Sequence, residues 1–285
     1  MSFWMGRRRR RREQRTVFVL SGGAVRGAAQ VGMLREVLTA GIVPDAVVAV
    51  SAGALNGLPI ANDPSLAQVE VLEELWRGVA DNPPIRGGTL RTIVSILRSR
   101  PGFDTGERLR KMIEDNVPVA DLGDTLLPIH VGTTAASTGR LCWWTDGPAV
   151  DILCASAAIP GVFPAVPLTD GDLHLDGGVL SNLPLRHAVT LSPTRMVVFD
   201  VAADFLPPEK QTALTLMLTG FRAATAELTR QEWIDVPADI EVMHIKLVDP
   251  GGGLDLDFGD TESLLGDGAA AARAAIAASG WLSPD

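Results

Sequence analysis

Residues 16–57 read TVFVLSGGAVRGAAQVGMLREVLTAGIVPDAVVAVSAGALNG, and the fold class follows from their pattern. Thr16–Leu20 and Ala46–Val50 are short β-branched runs of strand type, while Gly27–Ala40 carries an apolar helical pattern that Gly41 stops, with Pro44 just beyond. A strand, a helix and a second strand within this length form a β-α-β unit. Its right-handed crossover brings both strand ends to the same edge of a parallel sheet. Each strand then breaks into small residues, at Ser21-Gly-Gly-Ala-Val-Arg-Gly27 and at Ser51-Ala-Gly53. Loops at the carboxyl ends of adjacent parallel strands form the usual ligand crevice.

The same alternation continues along the rest of the chain. Helices are expected over Pro64–Val79, Thr105–Asn116, Pro148–Ile159, near 208–230 and over 261–278. Strands are expected over Ile129–Thr134, Leu141–Thr145, Met196–Val201 and Ile240–Val248, and an alternating strand leads into Asp176. Helical and strand segments in alternation predict an α/β protein, with helices covering a largely parallel sheet. No repeat or linker divides the chain, so one domain over 16–285 is expected behind an Arg-rich, disordered arm at 1–15. The segment 81–104 mixes turn signals with a short apolar helix and reads as a lid.

Composition narrows the function classes. With 46% apolar and 21% charged residues the 285-residue chain falls in the globular range, which rules out disordered, collagen-like and coiled-coil readings. Two cysteines, Cys142 and Cys154, give neither a disulfide framework nor a CxxC metal pair, and a reducing compartment is the simplest fit. No apolar run approaches the roughly 18 to 20 residues of a membrane span. The arm carries +6 and the remaining 270 residues −15. Arginines Arg7–Arg12 suit contact with anionic lipid headgroups, at about 1 kcal/mol each near the surface, with Trp4 beside them as a candidate anchor; a solvated tail is the plainer reading. A cytoplasmic protein with a peripheral membrane contact is expected, with no specific nucleic-acid partner.

Three segments carry chemistry. The loop Gly22-Gly23-Ala24-Val25-Arg26-Gly27 lies at a helix N-terminus, where backbone N–H groups can cradle a negative oxygen. It lacks both the dinucleotide spacing and the G-K-[ST] of a phosphate loop. Arg26 either steadies an anion or forms a salt bridge. Ala49-Val-Ser51-Ala-Gly53 has the strand, sharp turn and helix that a nucleophile elbow needs, and Ser51 is the candidate nucleophile; a simple helix N-cap is the plainer alternative. In Leu173-His-Leu-Asp176-Gly-Gly, Asp176 either takes the proton of Ser51 directly or orients a histidine. The order Ser51, Asp176, then His187 or His244 is that of an α/β-hydrolase triad. Asp249, Asp255, Asp257, Asp260 and Asp267 do not have the calcium-loop spacing and read as acidic surface.

Together these segments resemble the patatin-like phospholipase family in its bacterial form. The matching stretches are SGGAVRGAAQVGML, AVSAGALNG and LDGGVLSNLP, supported by ASAAIPGVFPAV and LDFGDTESLLGDGAAAARAAI. The resemblance implies a three-layer α/β/α sandwich with a central, mostly parallel sheet, and hydrolysis of phospholipid or other fatty-acyl esters. In that reading Ser51 is the nucleophile and Asp176 its base. Gly22, Gly23, Ala24, Arg26 and Gly27 form the oxyanion and substrate loop, and Ala49 and Gly53 flank the elbow. No cofactor and no metal are implied. An acyltransferase using the same serine, or a catalytically silent lipid-binding protein, are the alternatives. Two positions depart from the family pattern, Ala24 for a third glycine and Ala49 for the first elbow glycine, and both are expected to be tolerated.

Overall fold

The computed structural model describes residues 14–81, 105–202, 205, 213–248 and 260–281. The arm at Arg7–Arg12 with Trp4, most of the expected lid, and Asp249, Asp255 and Asp257 lie outside these. Strands β1 (Thr16–Leu20) and β2 (Ala46–Val50) are buried along their whole length, as their unbroken apolar runs require. Helix α1 (Gly27–Thr39) joins them and they pair in parallel, Val17 opposite Ala46 and Leu20 opposite Ala49. On its other edge β1 pairs in parallel with β7 (Arg195–Asp200), which pairs in parallel with β8 (Glu241–Lys246).

Beyond β2 the sheet changes character. Strand β3 (Ile129–Ala135) pairs in parallel with β2 over Ile129–Gly132 and antiparallel with β4 (Arg140–Trp144) over Val131–Ala135. Strand β6 (Leu173–Asp176) also pairs antiparallel with β3, over Thr133–Ala135, and β5 (Val166–Pro167) closes a short hairpin with it. A strand has two edges and β4 occupies one over Val131–Ala135, so β2 and β6 share the other. They meet end to end there. Val50, the last residue of β2, pairs with Gly132, and Asp176, the last of β6, pairs with Thr133, the next rung.

Alternate residues of the sheet face two separate cores. Phe18, Leu20, Val47 and Ala49 pack under α1, α2 (Ala52–Asn62), α3 (Leu66–Asp81), α4 (Glu107–Asn116), α5 (Ala149–Ser156) and α8 (Thr261–Ser279). Val17, Val19, Ala46 and Val48 pack under α6 (Leu185–Thr190) and Trp233 near the end of α7 (Ala213–Ile234). These are the three layers expected, around a mixed sheet whose central pairings are parallel. The adjacent tryptophans divide between the faces, Trp143 stacking on His187 and Trp144 meeting His174 edge-on, as alternation along β4 demands.

Two differences from the sequence reading concern short elements. The helix expected to reach Ile159 ends at Ser156, and Ala157 to Phe163 continue in turns that bond back to Leu153, Ala155, Ala157 and Ile159. The six-residue α6 is too short to show an apolar period.

Helices α1 and α8 pack unusually closely. A Cβ on Gly268 would lie 1.9 Å from the Ala29 carbonyl oxygen, and one on Gly32 would lie 2.0 Å from that of Leu265. The helix backbones touch where these side chains are missing. Gly268→Ala is therefore expected to force α1 and α8 apart and lower the unfolding free energy by about 1 to 3 kcal/mol, despite alanine's better helix propensity. Urea unfolding checks this; an unchanged or higher midpoint would contradict the close approach.

Candidate active site

Ser51 is where β2 turns into α2. Its backbone sits at φ 54°, ψ −132°, a left-handed conformation that a side chain other than glycine adopts at a cost of about 1 to 3 kcal/mol. The surroundings hold it there. Its N–H donates to Ser156 Oγ at 2.9 Å, and Ser156 in turn donates to the Gly132 carbonyl at 2.8 Å, tying the turn to α5 and β3. Gly53 has to lack a side chain, since a Cβ would lie 2.6 Å from the carbonyl oxygens of both Leu20 and Ser21. Ser51 makes no side-chain cap to α2, so the plain N-cap reading fails.

Asp176 reaches the same point from β6. Its carboxyl is buried and accepts the Gly178 N–H at 2.7 Å on Oδ1. Burial pushes its pKa up to about 7, while hydrogen bonds from the Ser51 side chain and from Gly178 pull it down. The Ser51 hydroxyl, 125 positions away in the sequence, thus lies near enough to this carboxyl to lower its pKa. Gly177 is fixed by the crowded junction, because a Cβ there would lie 2.3 Å from the Gly132 carbonyl oxygen.

The glycine loop faces them. A Cβ on Gly22 would lie 3.1 Å from that of Ser51. The Gly22 N–H already donates to the Asn182 carbonyl at 3.0 Å, whereas among the described residues no partner accepts from Gly23 or Ala24. Ala24 opens a 3-10 turn, Ala24–Arg26, with φ 50°. The position where the family pattern has glycine therefore does take a left-handed backbone. Ala49, by contrast, is an ordinary strand residue whose methyl packs toward Gly57. Arg26 is 4% exposed and close enough to Arg222 of α7 to depress that guanidinium's pKa, though burial depresses it more. Gly27 leaves room for Trp76, whose ring would lie 2.5 Å from an added Cβ, and its carbonyl accepts from Asn56 Nδ2 at 2.9 Å.

An open-mouthed, apolar cavity adjoins the serine. Ala24, Ser51, Leu75, Trp76, Met112 and Phe163 are among its walls. Beneath it runs a buried polar network in which Trp76 Nε1 donates to Asn56 Oδ1 at 2.9 Å, Asn56 to Gln30 at 3.0 Å, and Gln30 to the Ser21 carbonyl at 2.8 Å. It ties α1, α2 and α3 to the end of β1.

The histidines are engaged elsewhere. His187 Nε2 lies 2.9 Å from His130 Nδ1, and burial with that neighbour lowers the His187 pKa to about 4. His244 pairs with Asp200 at 3.0 Å, and buried His174 bridges Thr133 and Asp170. None of the four hydrogen-bonds Ser51 or Asp176 among the described residues, so the triad order in the sequence has no geometric counterpart. No group of three or more His, Cys, Asp or Glu suited to a metal ion occurs among the described residues.

Ser156 and Asn182 were not singled out by the sequence. Their signal lay in the stretches ASAAIPGVFPAV and LDGGVLSNLP, where neither had an evident chemical task.

A strained serine on a strand-to-helix turn, a buried carboxyl beside it and a glycine-rich loop thus meet next to an apolar cavity on an α/β/α sandwich. The profile of the patatin-like phospholipase family matches residues 18–189, well over half of the chain, and the chain belongs to that family. Relatives include patatin-like phospholipase domain-containing protein 7 of Rattus norvegicus, 28% identical over 188 residues, 65% of this chain and 13% of that protein. Another is lysophospholipase nte1 of Aspergillus terreus, 27% identical over 185 residues, 65% of this chain and 12% of that protein. Neuropathy target esterase sws of Drosophila melanogaster is 29% identical over 191 residues, 65% of this chain and 13% of that protein. The match thus spans about an eighth of the length of these relatives. Among solved structures, VipD from Legionella pneumophila aligns with a TM-score of 0.49 and 13% identity, covering 94% of this chain and 67% of that one.

Because Ala24 holds a left-handed backbone, Ala24→Gly is expected to raise the unfolding free energy by roughly 0.5 to 1 kcal/mol, the relief of strain being partly offset by glycine's greater freedom in the unfolded chain. Chemical denaturation measures it. A destabilised variant would contradict the strain assigned to this residue.

Proposed function

We propose that the protein is a lipid acyl hydrolase that cleaves fatty-acyl esters, of phospholipid or lysophospholipid type, through a Ser51/Asp176 dyad. The observation that carries this reading is the Ser51 side chain, strained on its turn and lining an apolar cavity, set beside the buried Asp176 carboxyl. Family membership, and relatives named phospholipase, lysophospholipase and esterase, favour an acyl ester substrate.

In the proposed reaction the acyl chain lies in the apolar cavity and the ester carbonyl stands between Ser51 and the loop. Ionised Asp176 takes the hydroxyl proton as Oγ attacks the carbonyl carbon. The negative charge that develops on the carbonyl oxygen is met by the Gly23 and Ala24 N–H groups, preorganised donors of a kind each worth roughly 10²- to 10³-fold in rate. The partial positive charge at the start of α2 adds to this. Collapse of the tetrahedral intermediate breaks the ester bond, and Asp176 returns its proton to the leaving alkoxide. Water then attacks the acyl-enzyme, with Asp176 again as base, and releases the fatty acid. Arg26, buried in the loop, holds its shape, and Arg7–Arg12 supply a peripheral contact to anionic lipid. No helix of the described residues is long and apolar enough to cross a membrane.

A fluorophosphonate probe tests the nucleophile. Wild-type protein is expected to label and Ser51→Ala to lose labelling with its fold intact; an unlabelled, well-folded wild type would instead favour a lipid-binding protein without activity. The pH dependence tests the base. Since Asp176 must be ionised to act and its pKa is about 7, kcat/KM should rise with pH up to about 7 and level off above it. A flat profile from about pH 5 to 9 would contradict this.

The same shift has a stability consequence. The folded carboxyl holds its proton up to about 7, whereas the unfolded one releases it near 3.8, so between these values the native state binds more protons and stability falls as pH rises. Asp176→Asn removes the cost of a buried charge. It should abolish turnover yet melt several degrees above wild type at pH 8, the gain shrinking as pH falls toward 4. Calorimetry at the two pH values checks the sign.

A further inference from the structure

The loop that follows Asp176 does more than connect β6 to α6. Asn182 lies between the two halves of the site. Its main-chain carbonyl accepts the Gly22 N–H at 3.0 Å and its Nδ2 donates to the Gly22 carbonyl at 3.4 Å. Its Oδ1 occupies the space that side chains would take on both facing glycines, 2.5 Å from a Cβ on Gly22 and 2.7 Å from one on Gly178. Gly178 is the residue whose N–H holds Asp176, and Gly22 precedes Gly23 and Ala24, whose amides have no acceptor among the described residues. One amide side chain is thus wedged between the carboxyl's support and the glycine loop, and it sets their spacing.

Asn182 is itself held from outside the site. The preceding residue, Ser181, is buried and donates its hydroxyl to Glu232 Oε1. The other carboxyl oxygen of Glu232 accepts the Arg186 N–H at 3.0 Å, at the start of α6. Glu232 is 3% exposed and stands near the end of α7. A carboxylate is acceptor-only, so its two oxygens suit one hydroxyl and one amide from either side of Asn182. A buried carboxylate that received only one of these donors would be costly, which makes the arrangement stiff.

We infer that Glu232, Ser181 and Asn182 form a positioning clamp through which α7 fixes the glycine loop at its working distance from Ser51 and Asp176. None of the three touches the reacting atoms. The inference rests on the dyad reading, in which Gly23 and Ala24 meet the developing negative charge. Loosening the clamp moves these donors, and a displacement on the order of 1 Å near a reacting centre costs up to about 10²-fold in rate.

The test combines kinetics and amide exchange on the full chain. Glu232→Ala should lower kcat on a p-nitrophenyl ester about tenfold to a hundredfold with KM changed less than about twofold, because the apolar cavity is untouched. Ser181→Ala, which removes one hydroxyl, should act in the same direction and serves should Glu232→Ala fold poorly. Asn182→Asp keeps the shape but sets a negative charge against the Gly22 carbonyl, and is expected to lose at least as much kcat as Asn182→Ala. Asp235→Asn, on the exposed partner of Arg186 at the end of α7, should leave kcat unchanged. Independently of activity, amide exchange over residues 20–27 should speed up in Glu232→Ala relative to wild type. An inactive, unlabelled wild type would defeat the dyad reading and leave exchange alone to decide the clamp. An active wild type with Glu232→Ala and Ser181→Ala equal to it in kcat and exchange would overturn the clamp.

Discussion

Everything in this site depends on two strands ending against each other on one edge of a third. Strand β2 stops at Val50 opposite Gly132, and β6 stops at Asp176 opposite the next rung, Thr133. The turn that follows β2 carries the hydroxyl, and the last residue of β6 is the carboxyl. A slip of one residue would point Asp176 to the other face of the sheet, so the register of β6 on β3 is also the register of the site. The bonds made at the junction have this geometry as their common purpose: Ser156 joining the Ser51 amide to the Gly132 carbonyl, and Thr134 Oγ1 donating to the Asp176 carbonyl at 3.0 Å.

A second constraint is crowding. Gly53, Gly177, Gly22 and Gly178 are glycines because a neighbouring backbone or side chain fills the space of a Cβ, and all four surround the Ser51–Asp176 contact. The strained conformation of Ser51 persists because so many neighbours determine it together. Burial of Asp176 follows from the same packing, and burial is what lifts its pKa toward neutrality, where a carboxyl can both take and return a proton.

Much of this was legible in the sequence. The β1-α1-β2 unit, the glycine loop and the elbow at Ser51 are local features whose chemistry is written in consecutive residues, and the structure has them at the expected places. The meeting of Ser51 with Asp176 was not legible from spacing, since it depends on antiparallel pairing across more than a hundred residues. Family resemblance supplied that expectation. The histidine order that suggested a triad shows the limit of spacing arguments, because His187 faces the opposite core and His244 pairs with Asp200. Ser156, Asn182 and Glu232 act through single hydrogen bonds set by tertiary packing, and a lone polar residue in a small-residue stretch announces no such task. The fate of Ala24 was legible in outline: whether the methyl meets a left-handed backbone required coordinates, and it does, while Ala49 escapes the problem in a regular strand.

In the proposed reaction a carboxyl, with no imidazole between, activates Ser51. Rapid-quench mass spectrometry with an activated acyl ester tests this step by reading the acyl adduct and the rate at which it forms. An adduct on Ser51 is expected to form and decay in the wild type and in each single histidine variant, and barely to form in Asp176→Asn. Acylation of another residue, or undiminished acylation of Ser51 in Asp176→Asn, would contradict it.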